Sequence, residues 1–178
     1  MNFTPIFRFF ASGLLAISLT GPTYAGQEPK LAKEEIVLTV SGQAILGNDE
    51  GGSAAFSIDM LRALPQVTFK TSTQWTEGVD EFTGTPLGAF IAEIADENPP
   101  ATLRARAAND YSISIPVPEA DEPFPIIAYE MNGRPMSVRE KGPLWIIYPF
   151  DSDKDFQSAT ILSRSVWQVV EIELSTEE

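Results

Sequence analysis

The 178-residue chain contains no cysteine and no histidine. The first absence removes disulfides, so stability has to come from packing. Together they exclude zinc sites built on thiolate or imidazole, iron–sulfur clusters, a cysteine nucleophile and a Ser-His-Asp arrangement. Basic residues are also scarce: 12 Lys and Arg stand against 25 Asp and Glu, a net charge of −13. A surface of that sign repels nucleic-acid phosphates and anionic lipid, and accommodates a cationic partner or a small molecule. No internal repeat, low-complexity segment or glycine-rich phosphate cradle is visible, and no carboxylate pair stands out among so many acids. No catalytic residue and no metal ligand can therefore be assigned.

Long apolar runs are missing too. Phe9 to Leu19 (FFASGLLAISL) is shorter than the roughly 20 residues that span a bilayer comfortably. It follows a head with one basic residue, Arg8, and precedes a helix-breaking Gly21-Pro22 and the small-residue ending Thr23-Tyr24-Ala25. This layout predicts a secretory signal peptide over 1–25, cleavage after Ala25, a periplasmic location and no membrane insertion after cleavage. A permanent anchor is the alternative, and the short run argues against it. Loss of Arg8 leaves 11 basic residues against 25 acidic ones, a net charge of −14. The remainder has the length of one domain, with a flexible polar lead over 26–35 and the folded part over 36–176.

What is present reads mostly as strand. Ile36 to Gly42 (IVLTVSG) is β-branched and closes on glycine. Gly47 to Ser53 is a solvated loop without regular calcium-ligand spacing. Ser57 is placed to cap a short helix with Ile58, Leu61 and Leu64 on one face, stopped by Pro65. "VTFKTST" alternates as a strand. Thr85-Pro86 offers an N-cap hydroxyl and a first-turn proline, followed by Leu87, Phe90, Ile91 and Ile94 on one helical face. Asn98-Pro99-Pro100 ends that helix. "TLRARAA" sets Leu103, Ala105 and Ala107 against Arg104 and Arg106, and "YSISIPV" sets Tyr111, Ile113 and Ile115 against serines. Asn132-Gly133 between two extended runs is a hairpin signal. "LWIIYPF" and "VWQVVEIEL" supply two late strands. The pattern predicts an α+β, β-rich sandwich with two short helices.

Several ordered motifs carry a resemblance: "TFKTSTQW", "FTGTPLGAFI", "ANDYSISIPV", "IIAYEMNGRPM", "GPLWIIYPFD" and "RSVWQVVEIEL". Together they cover about two thirds of the chain beyond Ala25 and resemble the molybdopterin-binding domain of the sulfite oxidase superfamily. More narrowly, the chain looks like the small stand-alone exported proteins labelled molybdopterin-dependent oxidoreductases. The most specific elements are Phe82-x-Gly84-x-x-Leu87, the hairpin from Ala128 to Pro135, and a Gly-Pro-Leu strand followed by a tryptophan-containing last strand. The resemblance implies the irregular β-rich sandwich of that family.

It also exposes two departures. In the family, a cysteine lying about ten residues before the aromatic-x-Gly motif gives its thiolate to molybdenum. The matching position here is Thr71 or Ser72, whose hydroxyls are far harder to deprotonate than a thiol of pKa ~8.5. The family also holds its pterin phosphate with arginine, histidine and backbone N–H groups. Here histidine is absent, and Arg104, Arg106, Arg134 and Arg164 are the basic residues at motif positions.

The candidate pocket implied by resemblance thus comprises Thr71, Ser72, Trp75, Arg104, Tyr111, Arg134 and Arg164, and each has a plainer reading. Thr71 and Ser72, with Thr73, are also what a half-exposed strand shows. Trp75 stacks on a ligand or packs over a neighbouring strand. Arg104 and Arg106 are anion clamps or a solvated strand face. Tyr111 orients a substrate oxygen or is the first inward residue of its strand. Asn132 and Gly133 are turn residues, with Arg134 following them. Arg164 faces the pocket or pairs with an aspartate between Asp151 and Asp155. The expected function is a small-anion-binding, accessory or sensory module without molybdenum. Its partner is a small anionic or neutral ligand, or a membrane-bound sensor or enzyme. A molybdopterin-dependent oxidoreductase with a non-cysteine metal ligand is the alternative, with molybdopterin as its cofactor.

Overall fold

The computed structural model describes residues 35–42, 53–95 and 101–175. The expected signal peptide, nearly all of the polar lead, the loop from Gly47 as far as residue 52, and Asn98-Pro99-Pro100 lie outside the described residues.

One sheet joins the two ends of the domain. Strands β1 (Ile36–Gly42), β2 (Ala54–Ser57), β5 (Thr102–Ala107), β6 (Ser112–Pro116) and β10 (Val169–Ser175) run in the order β2-β1-β10-β5-β6. β1 and β10 pair in parallel, and the other neighbours are antiparallel. Period-two alternation explains the faces. Leu38, Val40, Leu103, Ala105, Ile172 and Leu174 point into the core. Arg104 and Arg106 point outward, opposite Glu173 and Glu171 in the register. Both arginines therefore carry out the solvated-face reading, with carboxylate partners across the strand.

The second sheet holds β3 (Val67–Ser72), β4 (Val79–Pro86), β7 (Ile126–Met131) and β8 (Arg134–Pro135) in that order, with β9 (Trp145–Ile147) also pairing β7. Ile126 to Tyr129 is buried on both faces. Asn132 (φ 54°) and Gly133 (φ 71°) make the β7–β8 turn in the left-handed conformation that the dipeptide favours. Asn132 also ties the hairpin to β4: its Oδ1 accepts from Glu81 N at 3.0 Å and its Nδ2 donates to Asp80 at 2.7 Å. One apolar core draws on both sheets, with Phe56 against Phe90 and Phe82 against Trp145 among its edge-to-face pairs.

Among the described residues three α-helices accompany the strands, against the two expected: α1 (Ile58–Arg62), α2 (Leu87–Ile94) and α3 (Ala159–Arg164). Ser57 caps α1 as its position predicts, accepting from Met60 N at 3.3 Å. Leu87, Phe90, Ile91 and Ile94 are all buried on α2. The expected Thr85 cap is not formed. Thr85 and Pro86 still pair with Ile127 and Ile126 of β7, so the chain is in strand until the helix starts. The buried Thr85 hydroxyl instead donates to Leu61 O at 3.0 Å, at the end of α1. α3 is six residues long and capped by Ser158. A helix that short offers little periodicity to read.

Candidate functional site: an aromatic cleft beside a hydroxyl–carboxylate clasp

β3 delivers Thr71 and Ser72 to opposite faces of its last turn of pleat. Thr71 is fully buried, and its Oγ1 accepts from Asp151 N at 3.1 Å while donating to Ser72 O at 3.2 Å. Ser72 faces outward and gives both donors to one carboxylate: its N–H reaches Asp151 Oδ2 at 2.6 Å and its hydroxyl reaches Oδ1 at 2.7 Å. The main-chain N–H, then the hydroxyl, hold the Asp151 carboxyl below the usual carboxylate range. This clasp fixes the loop after β9 to the end of β3.

The next residues aim an indole. Thr73 Oγ1 accepts from the main-chain N–H of Trp75 and of Thr76, each at 3.0 Å, which tightens the turn as hydroxyls do in such positions. Trp75 then packs edge-on to Trp145, with ring centroids 5.8 Å apart, and tilted on Phe150 at 6.1 Å. Its remaining surface lines a cleft of about 250 Å³. Tyr111, Trp167, Asn109, Ser163 and Ser165 line the same cleft. Asp110 (φ 66°) turns the chain so that Tyr111 leads into β6, and the Tyr111 hydroxyl donates to Ser163 O of α3 at 2.9 Å. Trp167 pairs with Trp145 in an antiparallel bridge and carries Lys141 Nζ 4.9 Å from its ring centroid. The cleft is chiefly apolar, with a few hydroxyl and amide groups at its edge. A neighbouring cleft of about 240 Å³ is lined by Ser72, Thr73, Asp151 and Gln157, and Leu162 lines both.

Of the residues singled out in the sequence, Trp75 and Tyr111 meet in one cleft, and Thr71 and Ser72 lie beside it. The arginines do not converge there. Arg104 reaches Glu173 at 3.9 Å on the outer sheet face, and Arg106 pairs with Glu171 and Asp110. Arg134 is exposed on β8. Arg164 ends α3 and lines a different cavity. The alternative pairing of Arg164 with an aspartate between Asp151 and Asp155 is not formed among the described residues; Asp151 accepts from Ser72, and Asp153 accepts from Asp155 N. Two residues that define the site escaped the sequence reading. Asp151 carries no local signal, since its partner is 79 positions away. Trp167 is visible as an aromatic before the last strand, but nothing local places it in one cleft with Trp75.

No protein-family model matches the chain, and no curated protein matches it. Among solved structures it is similar to the sulfane dehydrogenase SoxCD from Paracoccus pantotrophus, with a TM-score of 0.55 and 18% identity. The likeness covers 83% of this chain and 40% of that one. The fold is of the sulfite-oxidase type. At that identity the similarity carries the architecture alone.

Molybdopterin, the cofactor that the motifs imply, does not fit the donors found here. The two hydroxyls at the ligand position are both engaged, one buried between main-chain groups and one on a carboxylate. A carboxylate beside them repels an anionic cofactor. Among the described residues no arginine or lysine lines the aromatic cleft, although Lys141 lies over the Trp167 ring. Among the described residues, no group of three Asp or Glu side chains is placed to hold a metal ion.

Proposed function

We propose that this chain is an exported binding or accessory module built on the sulfite-oxidase-type fold and working without molybdenum. In this reading the cleft between Trp75, Tyr111 and Trp167 takes a small, flat, uncharged ligand, and the loaded module is read by a membrane-bound sensor or enzyme. The observation that carries the reading is the Ser72–Asp151 clasp, which spends the hydroxyls at the metal-ligand position on the protein itself. The apolar lining, with two indoles and a phenol in it, favours an aromatic or heteroaromatic guest, since burial and ring contacts supply most of the affinity in such sites. The small-anion version of the expectation loses its support at this cleft, because the arginines lie elsewhere.

The test is to produce the full chain in a bacterium that assembles molybdopterin and is supplied with molybdate. Metal content, pterin fluorescence and the binding of heteroaromatic fragments by ligand-observed NMR are then measured. Protein free of molybdenum and pterin, with fragment contacts that disappear in Trp167→Ala, is the expected result. One molybdenum and one pterin per chain would replace this reading with the oxidoreductase alternative.

A further inference from the structure

α3 separates two cavities. Leu162 and Ser163 face the aromatic cleft, whereas Ile161 and Arg164 line a second cavity of about 310 Å³ on another side of the helix. Its volume falls at the small end of the range for small-molecule sites.

Its aromatic wall is a chain of three rings. Phe124 meets Phe156 edge-on at 6.2 Å, and Tyr148 leans on Phe156 at 5.9 Å. Val117 and Pro125 extend the apolar surface. Against this wall stand polar groups that the protein leaves without partners. Tyr148 is 5% exposed, lines the cavity, and its hydroxyl makes no hydrogen bond among the described residues. Burial pushes its pKa up to about 12, so the hydroxyl remains a proton donor at any physiological pH. Arg164 forms no ion pair among the described residues, in a chain where acids outnumber basic residues by 25 to 12. Glu119 and Glu122 line the same cavity, and neither pairs with Arg164 or with any other described cation.

The enclosed polar atoms without a partner among the described residues are Tyr129 Oη and Trp145 Nε1; the Tyr148 hydroxyl is not one of them, so it opens onto the cavity, where it can donate to an acceptor on a bound molecule. Opposite charges that share a small cavity without pairing leave room between them for a group that meets both. A carboxylate alone would satisfy Arg164 and Tyr148 but would leave the two glutamates that line the cavity without a counter-charge. An amine alone would do the reverse. A molecule carrying both, with an apolar body for the Phe124–Phe156–Tyr148 wall, matches every group in the lining.

We propose that this cavity binds a small zwitterion, an α-amino acid with an apolar or aromatic side chain. Its carboxylate sits on Arg164 and the Tyr148 hydroxyl, its ammonium on Glu119 and Glu122, and its side chain on the aromatic wall. The site is separate from the Trp75–Trp167 cleft and does not depend on what that cleft holds.

The test uses the unmodified full chain. L-phenylalanine and L-leucine are titrated by calorimetry and by NMR shift mapping, beside phenylpropionate, which lacks the ammonium, and phenethylamine, which lacks the carboxylate. Saturable binding of the amino acids in the micromolar to millimolar range is expected, with both truncated analogues weaker by roughly tenfold or more, the worth of one charged hydrogen bond. Arg164→Gln should weaken the amino acids by a similar factor, and Tyr148→Phe by a smaller one. Trp167→Ala should leave their binding unchanged. Amino acids that fail to saturate, analogues that bind as well as the zwitterion, or affinity that survives Arg164→Gln would each overturn the proposal.

Discussion

Asp151 accepts two hydrogen bonds from Ser72, at 2.6 Å from the main-chain N–H and 2.7 Å from the hydroxyl, across 79 residues of sequence. Its own N–H returns to Thr71 Oγ1 at 3.1 Å. The end of β3 and the loop after β9 are thus locked at the point from which Trp75 is aimed into the cleft.

Asp151→Asn leaves one acceptor oxygen where there were two, and a loss of about 1 kcal/mol is expected by chemical denaturation at neutral pH. The acid limb should change as well. The folded carboxyl titrates below its ordinary value, chiefly because of the Ser72 N–H. Its stabilisation is therefore complete above the unfolded value of about 3.9 and drains away as pH falls through the lower folded value. In Asp151→Asn the stability profile below about pH 4 should be shallower. An acid limb identical to that of the parent chain would contradict the clasp.

Gly84, the glycine of the aromatic-x-Gly motif, is required for space and not for turn geometry. A Cβ there would lie 2.3 Å from Ile127 O and 2.6 Å from Ala128 Cα, main-chain atoms of β7 that cannot swing aside. The β4–β7 ladder shifts register between Thr83 and Gly84. Gly84→Ala should cost about 1–3 kcal/mol or more, read from the urea midpoint, because a packed strand pair has to part. A neutral substitution would mean that β4 and β7 approach less closely than described.

Tyr148 sets the alkaline limb. Burial raises its folded pKa to about 12, and the nearby Arg164 opposes that shift in part. A folded value above the unfolded one of about 10 means that the contribution is whole below about pH 10 and is lost as pH climbs towards 12. Two units correspond to roughly 2–3 kcal/mol. Tyr148→Phe should flatten the fall in stability over that interval, and a spectrophotometric titration should lose a late tyrosinate step. Tyr129, also raised by burial, should keep a residual slope in the variant. A Tyr148 that ionises near pH 10 in the folded chain would show that its hydroxyl is wetter than its surroundings indicate.

The elements that sequence alone settled are those whose causes are local. Alternation placed Leu103, Ala105 and Ala107 inward and Arg104 and Arg106 outward, because side chains on a strand have period two. Asn132-Gly133 made its turn because both residues tolerate the left-handed backbone, and the four apolar positions of α2 fell on one buried face. The ordered motifs also carried the architecture. Tertiary structure decided everything that depends on which distant groups meet. It gave the Thr85 hydroxyl to Leu61 instead of a helix cap, put Arg104 and Arg106 on the outer face of β5 and Arg134 and Arg164 elsewhere, closed Ser72 with Asp151, and brought Trp75 and Trp167 to one cleft. A hydroxyl or a guanidinium takes whichever partner the packed backbone brings within about 3 Å, and that partner is fixed by strand order and loop path, which no short stretch of sequence encodes.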